Sequence, residues 1–123
     1  MNDNYKRILN QYMHSSQNHN YEDVFINLFN MSKELHYLKN AFDYTGINSL
    51  GDFIYQYSYN TVIWMCKRKN IQFEDKDLLL LDVFCGGASI MYQHYILGKF
   101  DLSPQQAGKT LYQMFPDVFK ISW

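Results

Sequence analysis

Apolar residues recur along most of this chain at intervals of three and four and almost nowhere in strict alternation, so the pattern predicts helices joined by short polar breaks, with no strands. Tyr5, Ile8, Leu9, Tyr12 and Met13 share one face of a first helix over about Asp3 to His14, which the polar stretch Ser15 to Asn20 ends. Asn20 with Asp23 three residues on reads as a helix start, because the Asn side chain accepts from an orphan N–H and the acid sits at the positive helix end. Val24, Phe25, Leu28 and Phe29 follow as its apolar face, and Ser32 is expected to cap or kink the chain before Leu35, Leu38, Ala41 and Phe42. Gly46 is expected to close that second piece, giving two short helices rather than one.

Ser49 and Asp52 repeat the capping logic and open a helix expected from about Leu50 to Arg68. Its apolar stripe is Leu50, Phe53, Ile54, Tyr57, Thr61, Trp64 and Met65, with Tyr55, Tyr59, Val62 and Cys66 beside it, so a central position with neighbours on most sides is expected. After the loop Lys69 to Glu74, the stretch Asp75 to Gly98 is the most hydrophobic helix. One of its faces carries Leu81, Phe84, Ala88, Met91 and Tyr95, and another Leu79, Val83, Gly86, Gly87, Ile90 and Leu97. A thin polar line of Asp82, Ser89 and Gln93 divides them, which implies two different surfaces to bury. The last helix opens at Ser103, with Pro104 first and Gln106 third, and runs through Ala107, Leu111 and Met114 to Pro116.

These elements make one all-α domain over residues 1–123, a bundle of about five to six helices. Hydrophobic residues form 47% of the chain and aromatics 18%, which is enough apolar surface for one good core and far from the composition of a disordered chain. Eleven basic against twelve acidic residues leave a net charge of -1, so no global field gathers phosphates or anionic lipid. The cluster Lys67-Arg68-Lys69 sits at a helix C-terminus, where the macrodipole already favours cations. The longest apolar run, Leu78 to Leu81, is far below the roughly 20 residues of a membrane span, and the polar Met1 to Arg7 leads straight into an amphipathic pattern with no secretory leader. Cys66 and Cys85 each lie in an apolar run without a partner at zinc-ligand spacing, which reads as two reduced, buried thiols in a cytoplasmic protein.

Catalysis finds little support in the pattern. His14, His19, His36 and His94 are dispersed, with no helical metal pair among them, and Gly86-Gly87-Ala88-Ser89 lies inside a hydrophobic helix without the preceding strand of a phosphate cradle. Cys85 has no His nearby in sequence to activate it. The chain is therefore read as a non-enzyme with no metal and no cofactor.

The informative part is the final helix pair. Gly86, Gly87 and Ala88 in one helix, and Ala107 and Gly108 in the other, remove bulk where helices could cross closely, and each helical Gly costs about 1 kcal/mol against Ala. Pairing with a second copy would cover both helices as a dimeric four-helix bundle, with Val83, Gly86, Gly87, Ile90, Leu97, Ala107, Gly108, Leu111 and Met114 at the interface. The stretch from Ser49 onward, with Asp82-Val83-Phe84-Cys85-Gly86-Gly87-Ala88, then Tyr95-Ile96-Leu97-Gly98-Lys99 and Leu102-Ser103-Pro104-Gln105-Gln106-Ala107, resembles the C-terminal half of TetR-type bacterial transcriptional regulators.

That resemblance covers about 75 residues and implies a ligand-sensing and homodimerising domain. The DNA-binding helix-turn-helix that opens family members has no match here, so contact with DNA is expected only through such an N-terminal domain and not through this chain. The family's ligand pocket lies upstream of the dimer pair. Its counterparts here are Tyr12, Tyr57, Trp64, Met65, Phe84 and Met91, a set suited to a small, flat, largely apolar effector and equally to ordinary core packing. A helical protein-protein interaction module without a small ligand is the alternative.

Overall fold

A computed structural model describes Arg7, residues 20–36 and residues 44–121. Among these the chain is all-helical. It has four α-helices, α1 (Tyr21–His36), α2 (Tyr44–Arg68), α3 (Asp75–Ile96) and α4 (Pro104–Met114), followed by a single 3-10 turn, Asp117–Phe119, and no strand. The expected first helix, with Tyr12, lies outside the described residues.

Local chemistry sets most helix ends. Asn20 Oδ1 accepts from the Asp23 N–H at 2.9 Å, and Glu22 and Asp23 occupy the first turn of α1. At the start of α4 the Ser103 hydroxyl accepts from the Gln106 N–H at 3.1 Å while the Gln106 side chain accepts from the Ser103 N–H at 3.0 Å, a complete capping box with Pro104 inside it. Both long helices end in the same Schellman arrangement. Asn70 (φ 57°) closes α2, where the Ile71 N–H donates to the Cys66 carbonyl; Gly98 (φ 83°) closes α3, where the Lys99 N–H donates to the His94 carbonyl.

Two expected breaks are absent. Helix α1 runs through Ser32, whose hydroxyl donates back to the Phe29 carbonyl and so satisfies itself without interrupting the ladder. Gly46 and Ser49 fall inside α2, which begins at or before Tyr44, so neither closes nor opens a helix. A single glycine costs too little to break a helix whose next turns bury Leu50, Ile54, Val62 and Cys66.

The helices pack as two pairs, α1 on α4 and α2 on α3, with α1 also touching α3. Phe115, just beyond α4, holds the first pair together. Its ring lies 5.0 Å from Tyr21, 5.4 Å from Phe25 and 5.1 Å from Phe84, joining three helices in one aromatic cluster. Across α1 and α3, Tyr92 is fully buried and donates to the Leu28 carbonyl at 2.7 Å. The α2–α3 seam is where the polar line of α3 goes. Ser89 donates to the Gly51 carbonyl at 2.6 Å, the Tyr55 hydroxyl donates to Asp82, and Gln93 lies against Gly51. These polar residues face a neighbouring helix that supplies their partners, and α2 is covered chiefly on that side.

Among the described residues no helix is long and apolar enough to cross a membrane.

Candidate functional site

Helices α3 and α4 are not a closely packed pair. An apolar groove of about 620 Å³ separates them. Its floor is formed by the more buried residues of each wall: Phe84, Ala88, Met91 and Tyr95 from α3, and Ala107 and Leu111 from α4. Its rim is exposed, with Leu80, Val83 and Gly87 on one side and Thr110 and Met114 on the other, Val83 being 66% and Met114 70% exposed. Phe100 and Leu102 from the loop between the helices, and Pro116 after α4, complete the lining.

The gap persists because each wall is anchored elsewhere. Ala107, Gly108 and Leu111 are buried, and a Cβ on Gly108 would come within 2.6 Å of the Ile26 backbone, so α4 rests on α1 at glycine distance. The connecting loop is tied down by the Tyr95 hydroxyl, which donates to the Leu102 carbonyl at 2.6 Å, while the Tyr95 ring meets Phe29 edge-on at 4.8 Å. Among the described residues, no charged side chain lines the groove. Its two side-chain hydroxyls already donate within the chain, Tyr95 to Leu102 and Thr110 to the Gln106 carbonyl at 2.8 Å. The lining therefore offers a ligand dispersion contacts and spare hydroxyl lone pairs, with no side-chain donor and no charge.

The residues expected at a ligand site separate. Phe84 and Met91 line the groove. Met65 is buried in the core. Tyr57 is half-buried beside a crevice of only about 20 Å³ between α1, α2 and α3, too small for an effector, and burial raises its phenol above the usual range while a hydrogen bond with Thr61 pulls the other way. Trp64 is 55% exposed and carries the Arg68 guanidinium over its ring at 5.3 Å; it does not line the groove. The cation at the end of α2 is thus held by the ring beside it.

The residues expected at a dimer interface fall into two groups. Val83, Ile90, Leu97 and Met114 are exposed, and among the described residues nothing lies within 4 Å of a Cβ built on Gly86 or Gly87. Ala107, Gly108 and Leu111, in contrast, are already covered by their own chain, and the small-residue notch at Gly108 admits α1, a partner within the same chain. Val83, Gly87, Ala107, Leu111 and Met114 all line the groove, so the two expected surfaces are continuous. Tyr95, Phe100, Leu102 and Thr110 were not among the expected site residues. Tyr95 extends the Phe84–Met91 face by one turn, the signal that would have found it, whereas nothing in the periodicity marks the loop pair.

Both thiols are free and buried, and burial with the nearby Asp82 carboxylate pushes Cys85 up to about 12, the opposite of an activated nucleophile. Among the described residues no group of three His, Cys, Asp or Glu side chains is placed to hold a metal. No family model, curated protein or solved structure matches the chain.

Proposed function

We propose that this chain is an effector-sensing and homodimerising domain of the kind that forms the C-terminal half of TetR-type regulators, with the difference that its small, largely apolar ligand lies between α3 and α4, the helices expected to pair, and not upstream of them. The observation that carries the reading is the α3–α4 groove. Its volume of about 620 Å³ falls within the range of small-molecule sites, and its lining is apolar apart from two hydroxyls that already have acceptors. Catalysis has no part in this reading. In such a regulator DNA would be contacted by a separate helix-turn-helix domain, and this chain would contribute the ligand site and the pairing.

Thermal shift with a panel of neutral apolar compounds tests the proposal. A ligand at about 100 times its dissociation constant adds roughly 2.7 kcal/mol to the folded state, several degrees of melting temperature for a domain of this size. Thr110→Trp, which fills the groove from an exposed rim position, should abolish the shift without unfolding the chain. If no compound stabilises the protein, or if the Trp variant responds like the parent, the groove is not a ligand site.

The second reading, a helical protein-interaction module without a small ligand, draws on the exposed row Leu79, Val83, Ile90 and Leu97. Sedimentation separates the two: a clean monomer at high concentration favours the interaction module, a dimer the regulator domain.

A further inference from the structure

We infer that the ligand of the α3–α4 groove is an uncharged amphiphile whose polar head donates a hydrogen bond, a hydroxyl or N–H compound, and that heads able only to accept, carboxylates and ethers, are selected against. The inference rests on the effector reading above and adds the chemical class of the effector.

The groove has a direction. Phe115, just beyond α4, meets Phe84 at 5.1 Å, and the Tyr95 hydroxyl reaches the Leu102 carbonyl shortly before α4 begins, so α4 runs back along α3. From Phe84 to Tyr95 the floor follows three turns of helix, about 16 Å. Leu80, Met114 and Pro116 line one end with apolar side chains. The two hydroxyls lie elsewhere, that of Tyr95 at the loop end and that of Thr110 between the ends. A ligand that uses the whole length therefore sets its apolar body towards Met114 and its polar head towards Tyr95.

The chemistry of that head follows from where the hydroxyl hydrogens go. A carbonyl oxygen can only accept, so Tyr95, bonded to Leu102, and Thr110, bonded to Gln106, have each committed their one hydrogen and present lone pairs. The start of α4 holds its own amides in the same way: the Gln106 N–H goes to the Ser103 hydroxyl and the Ala107 N–H to the Ser103 carbonyl. Burial and then the Asp101 carboxylate raise the Tyr95 phenol, so this hydroxyl keeps its hydrogen, and the loop end carries a negative field. A donor head finds both an acceptor and the right sign of field there. A carboxylate or an ether finds neither, and gives up its water without replacement. An ammonium head would meet the same acceptors, but Asp101 is exposed and outside the lining, too screened to compensate for dehydrating a full charge.

Titration calorimetry on the full chain at pH 7 tests this with four probes that share one ring system: 2-naphthol, 2-methoxynaphthalene, 2-naphthoate and 2-naphthylmethylammonium. The groove should favour naphthol over the methyl ether by at least about tenfold more than their partition into hexadecane, where nothing accepts a hydrogen bond. Naphthoate and the ammonium compound should each bind roughly 100-fold more weakly than naphthol. Thr110→Lys adds a cationic donor at an exposed rim position; it should keep the helical spectrum and improve naphthoate binding about tenfold. The inference is overturned if the ether or naphthoate matches naphthol, if the ammonium compound does so, or if Thr110→Lys leaves naphthoate binding unchanged. In each of those cases binding that Thr110→Trp removes keeps the effector reading intact. If no probe and no member of the neutral panel shows such binding, the effector reading itself fails and the ligand class falls with it.

Discussion

Replacing Gly51, Gly86, Gly87 and Gly108 one at a time by alanine should give stability changes of opposite sign, decided by what each new methyl meets. Every such exchange gains about 1 kcal/mol of helix propensity. At Gly86 and Gly87 nothing among the described residues lies within 4 Å of the added Cβ, so that gain is kept, and the fold should become more stable by roughly 0.5–1 kcal/mol. At Gly108 the Cβ would lie 2.6 Å from the Ile26 N, Cα and Cγ1 atoms, about 1 Å inside the normal contact between carbon atoms. Two of those atoms are backbone, so a rotamer change cannot relieve the clash, and α4 must lift off α1. Overpacking of this kind costs about 1–3 kcal/mol, and more where buried contacts such as Ala107, Leu111 and Phe115 loosen together, leaving Gly108→Ala a net loss of roughly 1–2 kcal/mol. Gly51 is intermediate, because its Cβ would run into the end of the Gln93 side chain, which is flexible enough to turn aside. Urea unfolding followed by far-UV circular dichroism at low protein concentration measures all four. A Gly108→Ala variant as stable as Gly86→Ala would refute the close approach of α4 to α1.

Phe115→Ala should cost about 3–5 kcal/mol in the same assay, because Phe115 is only 2% exposed and its ring meets rings from α1 and α3; a loss under about 1 kcal/mol would mean that the cluster does not hold α4 in place. Stability should also fall in alkali. The Cys85 thiol rises from 9.0 to about 12 in the fold through burial and then the Asp82 charge, so the unfolded chain releases this proton first. Its contribution is whole below pH 9 and shrinks as pH climbs towards 12, by roughly 1.4 kcal/mol per pH unit at most. Tyr55, raised from 10.0 to about 12 by its hydrogen bond to Asp82, acts in the same direction over its own window. Cys85→Ala should flatten the urea midpoint's decline between pH 9 and 10, before Tyr55 contributes; an unchanged decline would show that the thiol is not held neutral by the fold.

What the sequence disclosed about this fold was chiefly what neighbours along the chain decide. The Ser103-Pro104-Gln105-Gln106 start and the Asn20–Asp23 cap were legible because donor and acceptor stand three residues apart. The extent of α3 was legible because Glu74 and Gly98 bound a long apolar run. Signals that mean two things were misread. Gly46 suits a helix end, yet also sits inside a helix when later turns bury enough surface, and Ser32 caps in one context and bonds back to its own turn in another. Partners distant in sequence were not legible at all. Nothing in Ala107-Gly108 says that Ile26 is what approaches, and nothing in Asp82, Ser89 and Gln93 says that Tyr55 and Gly51 await them. The site was half-readable for the same reason: periodicity gave Phe84 and Met91 their common face, while the walls of α4 and the loop pair Phe100 and Leu102 belong to tertiary placement.

That placement explains why a hydrophobic gap survives beside a packed core. Collapse of α3 onto α4 would bury Leu80, Val83 and Met114, a favourable change of a few kcal/mol by area alone. To make it, α4 would have to leave α1, giving up the contact at Gly108, the burial of Ala107 and Leu111, and the Phe115 cluster. The loop would have to give up the hydrogen bond from Tyr95 to Leu102 and the turn at Gly98. Those losses involve buried groups on several elements at once, whereas the gain is confined to three rim side chains, so the open arrangement wins. The groove is therefore held open by the same α1–α4 contact that Gly108→Ala disturbs. A methyl that pushes α4 away from α1 moves it relative to α3, so Gly108→Ala should change the thermal shift that apolar compounds give, even though Gly108 does not line the groove.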